Sequence, residues 1–162
     1  MPKRPTCQKV IAEAALVLKN AAQPVLVIGS QTMVNCRFPN SLADAVRQIG
    51  IPTFLAGSAR GLLGRNSEIQ FRHKRSAALK AADVVIVAGF PFDFRLGYGR
   101  SISSKATVIA ANLSADELRK NRRPQLAAQM HAGTFLEDLA QATGAPTVDR
   151  GQWFAALRER ED

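Results

Sequence analysis

The chain has little cysteine, no long apolar run and few acids for its bases. Its 162 residues hold two cysteines, Cys7 and Cys36. Two cannot build a disulfide framework or a cysteine-rich zinc site, so unpaired thiols in a reducing compartment, the cytoplasm, are expected. No apolar run reaches the roughly 18 to 20 residues that span a bilayer. The basic start, Met1-Pro2-Lys3-Arg4-Pro5, runs into an amphipathic segment interrupted by Glu13 and Lys19, not into the apolar core of a signal peptide. The two histidines, His73 and His131, have no partner at metal-ligand spacing and read as surface or structural residues. Ser30 and Ser58, the serines near glycine, lack the nucleophile-elbow spacing, and no nucleophile, base and orienter set can be assembled.

Only 13 acids face 22 bases, a net charge of +9. Such a balance suits nucleic acid, a membrane surface or anionic ligands. The bases are scattered, with no run of five and no interleaved aromatics to stack on bases, so no nucleic-acid partner is expected. Balancing charge on other parts of a larger protein is a second explanation.

What is present is one domain with enough apolar residues, 46%, to bury a core. Val10, Ile11, Ala14, Ala15 and Leu18 share a helical face behind a Thr6 cap. Val25 to Ile28 is a buried strand closing at Gly29. Leu42, Ala45, Val46 and Ile49 mark a helix capped by Ser41 and stopped at Gly50. Thr53 to Ala56 is a short strand, and Gly57 to Arg72 a long glycine-containing loop. A short helix through Ala77–Leu79 precedes the third strand, Val84 to Ala88. Thr107 to Ala111 is the fourth strand and Leu126 to Met130 a weaker fifth. Ser114 with Glu117, and Thr134 with Glu137, have capping-box spacing, and Phe135, Leu136 and Leu139 anchor the helix behind the second box. Strands alternating with helices predict a doubly wound α/β domain: a mainly parallel, Rossmann-like sheet of five to six strands with helices on both faces. The domain is expected over 1–142. Residues 143–162 read as a linker and a short helix with Trp153, Phe154 and Leu157, a helix with little domain left to cover.

Ala82 to Gly99, ADVVIVAGFPFDFRLGYG, is the most informative stretch. A strand with no polar alternation is buried on both faces, and the loop after such a strand is where open α/β sheets hold ligands. Asp93 and Arg95 lie in that loop, where they pair with each other, cap backbone groups or meet a ligand. Gly57 to Gly64 superficially resembles a phosphate loop but lacks the Gly-Lys-Ser/Thr ending, and Gly29-Ser30-Gln31 lacks the three-glycine dinucleotide fingerprint. Arg60, Arg65, Arg72, Lys74 and Arg75, opposed only by Glu68, read either as a cradle for phosphates of a nucleotide or coenzyme A, or as a solvated face.

The order of elements, the strand with its FDFR loop and the following ATVIAANLSADEL resemble the central domain of thiamine diphosphate-dependent enzymes. Within them the chain is most similar to the acetolactate synthase-like group that includes 2-hydroxyacyl-CoA lyases, through Ala59–Asn66, Arg75–Lys80, Asp93–Leu96 and Tyr98–Arg100, on to the Trp153 helix. Gly89, Asp93 and Arg95 match the glycine, first aspartate and last arginine of the acetolactate synthase Gly-x-Arg-Phe-Asp-Asp-Arg motif. The resemblance implies a non-catalytic middle domain that links two catalytic domains of the same polypeptide, in a homodimer or tetramer. Those domains would hold thiamine diphosphate and magnesium and make or break a carbon–carbon bond beside a carbonyl. This chain alone would be inactive. Middle domains of such enzymes hold FAD or ADP, and the matching positions are Gly29, Ser30, Gln31, Thr53, Phe54, Leu55, Gly89, Phe90, Asp93, Arg95 and Asn112; Arg60, Arg65, Arg72 and Arg75 are phosphate candidates. Pro91 replaces the motif arginine, Asn112 the acid expected at the end of the fourth strand, and Ile69-Gln70-Phe71 the Met-His-Gly segment that abuts flavin. These departures count against FAD and favour ADP or an empty site. A stand-alone module for ADP, FAD or coenzyme A is the alternative.

Overall fold

The valine- and isoleucine-rich runs pair into one sheet, as branched residues buried on both sides do. The structure, a computed structural model, describes residues 5–93, 97 and 99–161. Strands β1 (Pro24–Ile28), β2 (Thr53–Leu55), β3 (Val84–Ala88), β4 (Thr107–Asn112) and β5 (Leu126–Gln129) lie in the order β2-β1-β3-β4-β5. Every neighbouring pair is parallel, with Leu26 opposite Thr53 and Ile86, and Ile86 opposite Ile109. The fold is thus a doubly wound, all-parallel α/β domain.

Successive strand residues point to opposite faces, and two apolar layers follow from that period. Leu26, Ile28, Ile86 and Ile109 face α1 (Pro5–Asn20), α2 (Pro39–Ile49) and α5 (Ala132–Ala142). Val25, Val27, Val85, Val87 and Val108 face α3 (Arg75–Ala81), α4 (Ala115–Arg119) and α6 (Gly151–Glu161). The α6 stripe does find a surface to cover. Trp153 and Leu157 are buried against this second layer, and the Trp153 indole donates to the Pro24 carbonyl at 2.9 Å.

Local signals shift where a better partner exists. The first helix starts at Pro5, so Thr6 lies inside it. Pro39 opens α2 after Phe38, which leaves Ser41 within the helix; proline's preset φ and missing N–H suit the first helical position. His131 caps α5 with Nδ1 accepting from Gly133 N at 3.1 Å, while Nε2 meets the Val34 carbonyl at 2.7 Å. Thr134 is therefore helical, not a cap. Only half of the Ser114 box forms: Ser114 Oγ accepts from Glu117 N, and the Glu117 carboxylate turns elsewhere.

The long loop after β2 returns to the sheet edge. Thr53 N donates to Ile69 O at 2.8 Å and Phe71 N to Thr53 O at 2.9 Å. The β3–β4 crossover is held by Arg122, whose guanidinium donates to the carbonyls of Gly99, Ile102 and Ser103 at 2.8–3.0 Å. Burial lowers the Arg122 guanidinium from its usual value, and the three carbonyls are what the retained charge is paired with.

Candidate functional site

The chain runs from β1 outward to β2 and then crosses back to β3, so the connections diverge above the carboxyl ends of β1 and β3. That crevice is where open α/β sheets bind ligands. Here two glycines let the loops touch. A Cβ on Gly29 would stand 2.5 Å from Gly89 O, and one on Gly89 would stand 2.3 Å from Thr32 Oγ1. Gly89 also has φ of +62°, in the left-handed region. Gln31 N donates to Gly89 O and Thr32 Oγ1 to Ala88 O. These contacts close the middle of the crevice and leave a hollow on each side.

The larger hollow, about 740 Å³, lies at the end of β2. Its floor holds Phe54, Leu55 and Phe71, and its rim carries Arg60, Arg72, Lys74 and Arg75. So three of the four arginine candidates come together with two of the apolar ones. Arg65 is exposed on the loop outside this lining. Arg75 stands over the Phe90 ring at 5.6 Å. Lys74, a non-glycine at the start of α3, has φ of +59°. A side-chain-bearing residue in that region stores strain of the kind that clusters at functional sites.

The loop that bears Arg72 is pinned from behind by α6. Glu161 Oε1 accepts from Arg72 N at 2.7 Å and from His73 N at 2.6 Å. Arg158 stacks 4.4 Å over the Phe71 ring and donates to the Glu68 carbonyl, and Phe154 meets Phe71 with ring centroids 6.2 Å apart. Nothing in the spacing of α6 signals these contacts, because they depend on where the helix lands.

The smaller hollow, about 250 Å³, lies at the ends of β3 and β4. Gln31 and Asn112 meet there, joined by a carboxylate outside the candidate set, that of Glu117. Asn112 Nδ2 donates to Gln31 Oε1 at 2.6 Å and to Glu117 Oε2 at 3.3 Å; Gln31 Nε2 donates to Glu117 Oε2 at 2.7 Å. Asn112 Oδ1 accepts from Ser114 N. The sequence signal for Glu117 was its box spacing, which pointed to the wrong partner.

The remaining candidates among the described residues, Ser30, Thr53, Phe90 and Asp93, line neither hollow. Ser30 Oγ accepts from Ser58 N at 3.0 Å. Thr53 is fully buried and its hydroxyl donates to Ile51 O. Phe90 is packed in the second layer, with its ring beneath Arg75. Asp93 is half-buried beyond Phe92, whose carbonyl accepts from Asn121. Arg95 lies outside the described residues. Among the described residues no three His, Cys, Asp or Glu side chains gather as a metal would require, and no helix is long and apolar enough to cross a membrane.

Residues 11–149 match the family model described as thiamine pyrophosphate enzyme, central domain. The chain is 40% identical over 167 residues to 2-hydroxyacyl-CoA lyase 2 of Caenorhabditis elegans, covering 100% of the chain and 26% of that protein. It is 40% identical over 153 residues to the Homo sapiens protein of the same name, covering 90% of the chain and 23% of the relative. It is 30% identical over 162 residues to the acetolactate synthase large subunit IlvG of Mycobacterium tuberculosis, covering 99% of the chain and 29% of the relative. The chain thus spans about a quarter of the length of the curated relatives it matches.

Proposed function

The chain belongs to the central-domain family of thiamine pyrophosphate enzymes, and from that premise we propose that it is the non-catalytic middle piece of a longer carboligase or lyase. Its work there is to link two catalytic domains and to hold the phosphates of a nucleotide or of coenzyme A. The parent reaction makes or breaks a carbon–carbon bond beside a carbonyl, with thiamine diphosphate as the electron sink. The described residues offer no donor set for a magnesium ion. On the family reading, thiamine diphosphate and magnesium belong to the other domains, which pair in a dimer or tetramer. Residues 1–142 form the domain proper, and 143–162 lead toward the next one while α6 stays docked on this one.

The observation that carries the phosphate reading is the arginine-rimmed hollow at the end of β2. Arg60, Arg72, Lys74 and Arg75 converge on one rim, and guanidinium forks match phosphate oxygens in pairs. The apolar floor of Phe54 and Phe71 lowers the local dielectric and strengthens those contacts. The same hollow supports the alternative of a stand-alone module for ADP, FAD or coenzyme A.

Calorimetry of the chain with ADP, FAD and coenzyme A tests the site. Binding on the order of micromolar is expected, weakened about tenfold by Arg72→Ala and by added salt. No heat with any of the three would remove the phosphate role. The chain supplied with thiamine diphosphate, magnesium and an acyl-CoA substrate is expected to show no turnover, and product above a buffer blank would overturn the non-catalytic assignment.

A further inference from the structure

The arginine-rimmed hollow and α6 share two residues. Phe71 lies in the floor of the hollow and Arg72 on its rim, while no described residue of α6 lines it. Yet the Phe71 ring carries the Arg158 guanidinium at 4.4 Å and meets the Phe154 ring, and Arg72 N–H donates to Glu161. We propose that Glu161 is a positioning residue for this hollow and makes α6 a strap: a ligand in the hollow and a docked α6 favour each other. The inference rests on the hollow being a phosphate site.

The backbone of the rim is the first support. The sheet holds this segment as far as Phe71, whose N–H donates to the Thr53 carbonyl at 2.9 Å. The next two N–H groups, of Arg72 and His73, turn to Glu161 Oε1 at 2.7 and 2.6 Å. Lys74 follows directly with φ of +59°. A left-handed lysine is disfavoured by itself and persists where its surroundings impose it. The two amide bonds before it supply that constraint, so Arg72, Lys74 and Arg75 are aimed at the hollow while Glu161 stays in place. The second support is the division of labour along α6. Trp153 and Leu157 bury the first part of the helix, and Arg158 and Glu161 carry the clamp at its end. A helix carboxyl terminus disfavours a carboxylate, and the two amides offset that cost at Glu161.

Charge and geometry act in opposite directions here. A carboxylate bonded to the rim repels a phosphate in the hollow, so the help that Glu161 gives is to the shape of the rim. An ordered rim binds without first having to be ordered by the ligand. Linkage makes the effect reciprocal, and a ligand that prefers the ordered rim must stabilise the docked helix by the same factor.

The probe is ADP, titrated calorimetrically into the 162-residue chain and two variants. Glu161→Ala leaves the Trp153 and Leu157 anchor intact and places a good helix former at the end of the helix, so the fold is kept. It should weaken ADP about tenfold, within the usual range of coupling between sites. Glu161→Gln keeps an oxygen for both amides and drops the charge, so it should bind ADP as well as the unaltered chain or better. In the unaltered chain, saturating ADP should slow amide exchange at the end of α6, a segment that the hollow does not touch, by about fivefold or more. In Glu161→Ala saturated with ADP that slowing should vanish. ADP affinity unchanged in Glu161→Ala, an equal loss in Glu161→Gln, or exchange in α6 that ignores ADP each overturns the strap. If one of these happens while Arg72→Ala still weakens ADP, the phosphate hollow stands and only the role of Glu161 falls. No heat with ADP in the unaltered chain removes both.

Discussion

Cutting Leu157 back to alanine tests whether α6 belongs to this domain and to its site. Leu157 is 3% exposed in the second apolar layer, one helical turn from Trp153. Large-to-small changes at such positions cost about 2–5 kcal/mol, because transfer energy is lost and a cavity remains. A central figure of about 3 kcal/mol is a large share of a domain stability of roughly 5–15 kcal/mol. With a urea dependence of about 2 kcal/mol per molar, the midpoint falls by about 1.5 M. Trp153 is the only tryptophan and is 5% exposed, so its emission reports the docked helix directly. Leu157→Ala should lower the midpoint by fluorescence. If α6 lets go before the sheet unfolds, emission reddens ahead of the circular dichroism change. Undocking also frees Glu161 from the Arg72 and His73 amides, so ADP affinity should fall with it. A midpoint within about 0.2 M of the parent, with blue emission retained, would refute the packing.

Two further substitutions probe the crevice. Gly89→Ala would put a Cβ 2.3 Å from Thr32 Oγ1 and 2.5 Å from Thr32 N, at a φ of +62°. Backbone cannot yield cheaply there, so a loss of about 3 kcal/mol or more is expected by chemical denaturation, and a loss under about 1 kcal/mol would show that the β1 and β3 loops do not meet as described. Lys74→Gly relieves a left-handed lysine and should raise stability by about 0.5–1 kcal/mol while weakening ADP binding. A loss of stability would mean that the Lys74 side chain holds α3 in place.

The strands were legible because they are short apolar runs, with Val84 to Ala88, set between Asp83 and Gly89, the clearest case. The helical faces were legible from their spacing, as at Leu42, Ala45, Val46 and Ile49. Cap residues were less so. A serine or threonine at the right spacing competes with whatever the fold brings alongside, and Pro39 and His131 displaced Ser41 and Thr134. Arg60, Arg72 and Arg75 were readable as a group because they are near in sequence, and they do line one hollow. Arg65, equally near, does not, since the loop turns it outward.

By itself the sequence determined the fold class and the family, because buried-strand runs and motif residues are local and survive without coordinates. Tertiary structure alone decided that Gly29 and Gly89 close the middle of the crevice, that Glu117 joins Gln31 and Asn112, and that α6 returns to brace Arg72. Gly29 with Gly89, Gln31 with Glu117, and Arg72 with Glu161 are each tens of positions apart, and only the order in which the strands wind and the return of α6 bring them within reach.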